Sequence, residues 1–265
     1  VKDTIVRLDE MGASGDFTVT SKNISYNADV QVKDDQGRSE GVISFADGFK
    51  ISFFTPRFQF KNLRYLVGLK LEGEAHLEGN TQGDSHAATL DMNINGKDLF
   101  LSQFYLGQAQ TSLNYKKGIL TFKNLVGKIG GSEYKANVEV DAVQSLIQVD
   151  GGAEKADVKE IMSAFQRLVQ LPIELTGIAN VKVKGGGPFE LNQLSYQLEA
   201  DVFKSTIANE SFEKIEAKLV SQNGEVKIEK ALLKKQKSEI RAFGVGHPNG
   251  DIDLTVQGKD LLLEE

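Results

Sequence analysis

Residues able to do chemistry are few in this sequence, and none is spaced for it. The three histidines, His76, His86 and His247, fall on the polar side of an alternating strand, in a loop, and before a Pro-Asn-Gly turn. None has a second imidazole or carboxylate at ligand spacing, so a solvated histidine is the plain reading of each. The run Lys184 to Pro188, KGGGP, has the glycines of a phosphate cradle. It lacks the GxxxxGK[ST] spacing and leads into a strand rather than a helix, so a hairpin turn is expected there. Asp251 and Asp253 share one side of a strand as calcium ligands do, without a third ligand or loop glycine in register. No cysteine is present, which removes thiol catalysis, disulfides and zinc–thiolate sites. No carboxylate pair or Ser-His-Asp set stands out. No catalytic apparatus, metal site or cofactor is indicated.

Those residues are mounted on a repeated sequence. Residues 118 to 140, GILTFKNLVGKIGGSEYKANVEV, occur again without a gap as 224 to 246, GEVKIEKALLKKQKSEIRAFGVG. Leu90, Met92 and Ile94 precede Tyr196, Leu198 and Ala200 by the same 106 residues, and LEGEAHL (71 to 77) matches LTGIANV (175 to 181) at 104. IQVDG (147 to 151) matches LTVQG (254 to 258) at 107, and Tyr26, Ala28, Val30 and Val32 echo Tyr134, Ala136, Val138 and Val140. A fixed period is the mark of one supersecondary unit stacked on itself. The expected organisation is 1–64 as the end of a preceding unit, 65–170 as a complete unit, and 171–265 as a second unit cut short. All three form one continuous body taken from a longer protein.

Composition fits a soluble chain: 40% hydrophobic, 26% charged and a net charge of −6. That charge, with lysines interleaved among acids, argues against a nucleic-acid partner. No apolar run approaches eighteen residues, so any membrane contact of the whole protein would come through segments absent from this chain.

Alternation of apolar and polar residues dominates. Val67, Leu69, Leu71, Gly73, Ala75 and Leu77 face one way and Lys70, Glu72, Glu74 and His76 the other. The same holds at Leu90, Met92, Ile94; at Tyr134, Ala136, Val138, Val140; and over 173–185, 194–202 and 252–258. Period two with one wet side predicts antiparallel sheet. Asp34-Asp35-Gln36-Gly37 reads as a turn. Six phenylalanines between 45 and 60 surround Pro56, which suggests two strands broken at an edge or bend. One segment departs from the rhythm: 156–170 sets Val158, Ile161, Met162, Phe165, Leu168 and Val169 on one helical stripe, with Asp157 as N-cap and Glu160 three residues on. Lys259 to Glu265 is expected to open the equivalent helix of a next unit.

The fold expected is all-β with a short helix, an elongated, curled antiparallel sheet forming a groove. An ordinary sandwich would bury the apolar side against a second sheet. Here small residues (Gly73, Ala75, Ala136, Ala179, Ala200, Ala242) recur on that side and no complementary set of strands is visible. An uncovered apolar lining marks a binding surface. Its expected residues are Leu69, Leu71, Leu90, Met92, Ile94, Leu120, Phe122, Val138, Val140, Val181, Val183, Leu198, Val226, Ile228, Leu254 and Val256. Val158, Ile161, Phe165 and Leu168 of the helix would shield it where no ligand sits.

Leu71-Glu-Gly-Glu-Ala, Gly118 to Phe122, Ser132 to Ala136, Leu175-Thr-Gly-Ile-Ala, Gly224 to Ile228 and Leu254 to Leu261 together resemble the AsmA-like family, of the TamB and YhdP type. These are repeating β-groove (β-taco) lipid-transfer proteins. The Phe-rich stretch from 45 to 60 departs from the family's repeat. The resemblance implies a periplasmic protein of diderm bacteria, anchored in the inner membrane outside this chain. It would carry phospholipid, or another acyl-chain lipid, towards the outer membrane. A reading from a different class is a structural module that acts on outer-membrane assembly proteins through β-strand addition.

Overall fold

A computed structural model describes residues 6–8, 10–66, 70–84, 87–101, 103–165, 167, 174–189 and 193–261. The chain is nearly all strand, with one short helix among the described residues. In order these are β1 (Val6–Leu8), β2 (Met11–Val19), β3 (Asn23–Val32), β4 (Asp35–Ser44), β5 (Gly48–Gln59), β6 (Leu63–Leu66), β7 (Leu71–Gly83), β8 (Ala88–Leu101) and β9 (Phe104–Lys116). There follow β10 (Ile119–Ile129), β11 (Ser132–Asp141), β12 (Leu146–Asp157), α1 (Val158–Ser163), β13 (Leu175–Pro188), β14 (Ser195–Ile207), β15 (Glu210–Gln222), β16 (Glu225–Lys235), β17 (Ser238–Gly246) and β18 (Ile252–Lys259). β1 and β6 pair with each other; the other 16 strands form one antiparallel sheet, ordered as in the chain from β2 to β18, which does not close.

The chain divides into two compact units, Val1–Gly127 with Asn137–Ser145, and Lys128–Ala136 with Leu146–Glu265. In the first, the ladder sets Phe53 opposite Ser39 and Gly79, and Gly79 opposite Met92, which faces Leu113. In the second it sets Val183 opposite Gly151 and Leu198, Leu198 opposite Leu219, Leu219 opposite Ile228, and Ile228 opposite Gly244. Directly opposed residues point to the same side of a sheet, so each unit gathers its apolar residues on one face.

The bulges recur as the sequence does. Positive φ falls at Asp98 and Lys204, at Lys117 and Asn223, and at Gly118 and Gly224, each pair 106 residues apart. It falls also at Gly73 (105°) and Gly177 (135°), whose surrounding sequences match at 104. The β7–β8 and β13–β14 ladders both slip beside these glycines.

Four local expectations are corrected. The turn at 34–37 sits one residue earlier, at Lys33 (φ 51°) and Asp34, and Asp35, Gln36 and Gly37 begin β4. Four of the six phenylalanines, Phe49, Phe53, Phe54 and Phe58, lie on one internal strand, β5, between β4 and β7, with Phe45 in the turn before it and Phe60 in a 3-10 turn after it. Pro56 is tolerated because the ladder slips between Thr55 and Phe58, where no partner needs its missing N–H. KGGG at 184–187 is not a turn: Lys184, Gly185 and Gly186 pair with Asp150, Val149 and Gln148. Finally, Ala156 and Asp157 still pair with Ala179 and Ile178, so the helix starts at Val158 and ends at Ser163, six residues long where 156–170 was expected. Positions 168–170 lie outside the described residues. Lys259 belongs to β18, and 262–265 are again outside the described residues.

Candidate functional site

Cross-strand register builds the apolar face of the second unit row by row. One row runs Gly151, Val183, Leu198, Leu219, Ile228, Gly244, Leu254. Beside it runs Ala153, Val181, Ala200, Ala217, Ala231, Ala242, Val256. A third, on the other side of the first, runs Val149, Gly185, Tyr196, Ser221, Val226, Gly246, Ile252. The three rows hold no charged residue, and the Ser221 hydroxyl, buried, reaches the Leu194 carbonyl at 3.4 Å. Seven expected lining residues (Val181, Val183, Leu198, Val226, Ile228, Leu254 and Val256) therefore share one face. Val183, Leu198, Val226 and Ile228 are half-buried, as is Val181, which also packs on the cluster beneath α1; Leu254 and Val256 are 50% and 57% exposed, β18 having a neighbour on one side only among the described residues.

The first unit is built the same way. Leu90 and Met92 are half-buried and Ile94 is buried, facing Thr81, Gly79 and Leu77 across the β7–β8 ladder. Leu120 and Val140 are fully buried, Phe122 and Val138 half-buried, and Leu71 half-buried opposite Leu101. Leu69 lies outside the described residues. The chain exposes 17007 Å² in all. A compact 29.0 kDa globule would expose about 11,000 Å², and two separate globules of half that mass about 14,000 Å². The excess is what sheet faces without a second layer leave to solvent.

One stretch of the second face is covered. Val158 forms a buried cluster with Ala179, Val202 and Ile215, and Ile161 and Met162 of α1 pack on it. Asp157 caps the helix by accepting from the Lys159 N–H at 2.7 Å, while Glu160 reaches away to the β10–β11 turn instead of closing a capping box. Its carboxylate accepts from the Ser132 hydroxyl and from the Gly131 N–H at 2.9 Å, which holds its pKa below the usual carboxylate value. Phe165 is half-buried, and Leu168 is outside the described residues.

The ion-pair clusters around Glu216 and Glu74 lie on the other face. Glu216 is bonded by Lys230 and by Lys214, which also meets Asp201, and these ammonium groups hold its carboxyl at about 2. Glu74 is bonded likewise by Lys97 and Arg57. His76 packs edge-on to Phe54, and the His247 ring lies 3.2 Å from Asp253 at the β17–β18 turn. No three metal-ligating side chains converge among the described residues, and no helix there is long and apolar enough to cross a membrane.

Sequence reasoning missed one polar feature. Asp35 is buried and accepts from the Gln59 N–H at 2.8 Å and the Asn62 side chain at 2.7 Å, tying β4 to the end of β5. Its only signal was an acid directly after a turn, which reads equally as part of the turn.

The chain matches no protein-family model, no curated protein sequence and no solved structure.

Proposed function

We propose that the chain is a lipid-carrying segment of an AsmA-like protein, whose uncharged face holds acyl chains of phospholipid and passes them between inner and outer membrane. The observation that carries this reading is the register of the second unit. Three adjacent rows, each crossing seven strands, contain no charged side chain, and the sheet that carries them is single and open, with α1 packed at the margin beside Val181. Each methylene buried on such a surface is worth about 0.8 kcal/mol, so an acyl chain gains binding energy from any run of neighbouring rows. A headgroup needs only water beyond the chain, which is why no polar pocket is required. Rows of similar apolar character leave no deep well, and a lipid then moves along them without a large barrier. Membership of that family would put the protein in the periplasm of a diderm bacterium, with its anchor outside this chain.

Native mass spectrometry and solvent extraction of the purified chain test the reading. Co-purified phospholipid that survives dilution supports it, and a lipid-free chain that takes up none from vesicles removes it.

A scaffold reading has its own support. Among the described residues β2 and β18 end the sheet with a neighbour on one side only, and an edge of that kind could accept an added strand from an outer-membrane assembly protein. A lipid-free chain bound to a barrel strand is the outcome that would favour it.

A further inference from the structure

We infer that α1 is a displaceable lid, which closes over a fourth uncharged row of the second unit and gives that row up to an acyl chain. The inference rests on the lipid-carrying reading and adds to it a place where helix and lipid compete.

The fourth row runs beside the alanine-rich one on the same side of the sheet. Register sets Ala156 opposite Ala179, then Val202, Ile215, Leu233, Ile240 and Gly258 in turn, and none of these is charged. Ala156, Ala179, Val202 and Ile215 are buried, whereas Leu233 and Ile240, further along the same row, are half-buried. The neighbouring row is half-buried from Ala153 to Ala242. What distinguishes the buried stretch is α1: Val158 completes a cluster with Ala179, Val202 and Ile215, and Ile161 and Met162 pack on it. Val181 touches that cluster and belongs to the neighbouring row, so the covered patch is continuous with the uncovered face.

The lid is weakly held compared with what it lies on. It has six residues, and isolated helices shorter than about 12–15 residues are marginal in water. The Ala164 and Phe165 N–H groups turn back on the Ile161 and Met162 carbonyls at 3.0 Å, bonds internal to the segment. To the sheet α1 is held by apolar contact, by the Glu160 carboxylate on Gly131 and Ser132, and by Lys159 on Glu174. The last pair is exposed and adds little. β13, β14 and β15 beneath it are each paired along both sides.

A segment with few buried contacts opens before paired strands do, and Asp157, the last paired residue of β12, is the hinge. Raising α1 leaves the fourth row facing water. An acyl chain laid along that row replaces the apolar groups of Val158, Ile161 and Met162 with its own methylenes, so helix and lipid exclude each other.

Hydrogen exchange of the full chain, read by mass spectrometry, tests this first alone and then with vesicles of phosphatidylethanolamine and phosphatidylglycerol. Alone, 158–165 should exchange faster than β13, β14 and β15, and Glu160→Gln should speed that exchange several-fold. Ile161→Ala loosens the same lid from its apolar side and takes the place of Glu160→Gln if circular dichroism shows misfolding. With vesicles, a chain shown by native mass spectrometry to carry phospholipid should exchange faster still over 158–165. Exchange of 158–165 at the rate of the strands, or no response to the variant, overturns the lid. Bound phospholipid with that exchange unchanged or slowed also overturns it, and leaves the lipid-carrying reading standing. A chain that binds no phospholipid while 158–165 opens freely removes that reading and the competition with it.

Discussion

The Glu160 carboxylate accepts a hydrogen bond from the Gly131 backbone N–H at 2.9 Å, so the helix is tied to the turn between β10 and β11. The same carboxylate takes the Ser132 hydroxyl, whose oxygen in turn accepts from the Asp157 N–H at 2.8 Å. Hydrogen bonds to the ionised form lower the folded-state pKa of Glu160 beneath 4.5. A depressed carboxylate contributes stability that is present above its ordinary pKa and lost as pH falls through the folded one. Glu160→Gln should therefore lower the melting temperature by a few degrees at neutral pH, and the gap from wild type should close on acidification. Thermal melts across the acid range check this; a gap independent of pH would show that the carboxylate's charge is not what holds the helix.

Tyr134 gives a test at the other end of the scale. Burial on β11 pushes its hydroxyl up to about 12, because the phenolate is poorly solvated there. The unfolded chain ionises near 10, so the favourable contribution is complete below pH 10 and lost as pH rises towards 12. Tyr134 should give a late step in a near-ultraviolet titration, and Tyr134→Phe should delete that step while raising resistance to alkaline unfolding. A Tyr134→Phe titration with the late step still present would reassign it.

What could be read from residues alone was the division of faces, because alternation is a property of neighbours in the chain. Leu90, Met92 and Ile94 against Asp91, Asn93 and Asn95 needs no tertiary knowledge, and the ladder keeps it. Positions decided by the strand alongside were harder. Pro56 reads as a strand breaker until the β5–β7 ladder is seen to slip beside it. Gly185 and Gly186 read as a turn, yet Gly185 lies under Tyr196, where an added Cβ would meet that residue's Cβ at 2.6 Å. The stripe extends past the helix because an amphipathic pattern carries no sign of where a preceding strand stops: Ala156 and Asp157 belong to the β12–β13 pairing. Bulges at Asp98 and Lys204 use residues without the glycine that would have announced a positive φ.

Gly79 shows how tightly one row of the first unit is filled. A Cβ there would lie 2.8 Å from the Phe53 ring and 2.5 Å from the Asp91 carbonyl oxygen, which is backbone and cannot swing away. Gly79→Ala should destabilise the chain by about 1–3 kcal/mol, the usual range for overpacking. Denaturant unfolding measures it, and Gly12, which has nothing within 4 Å of such an atom, is the control position. Equal midpoints for Gly79→Ala and Gly12→Ala would mean that Phe53 and β8 give way freely.

The last expectation separates the two faces by charge. Leu198 lies in the central uncharged row and Val181 in the row beside it, while Glu199, the next residue along β14, faces Lys182 and Lys218 on the other side. Leu198→Asp should leave a folded chain, because the single open sheet lets the carboxylate reach water, and Val181→Asp should do the same at a larger cost in stability because Val181 also packs on the α1 cluster. A charge among acyl chains costs several kcal/mol, so lipid held across that row should be lost and its passage blocked. Val138→Asp and Leu254→Asp are the corresponding changes on β11 and β18. Glu199→Arg, and likewise Glu139→Arg or Asp253→Arg, alters the charged face and should leave lipid uptake near wild type. Uptake of labelled phospholipid from vesicles, with circular dichroism as the folding control, reads each variant directly. If Leu198→Asp and Glu199→Arg take up lipid equally with folding intact, the uncharged rows are not the route, and strand addition at the sheet edges becomes the better account of this chain.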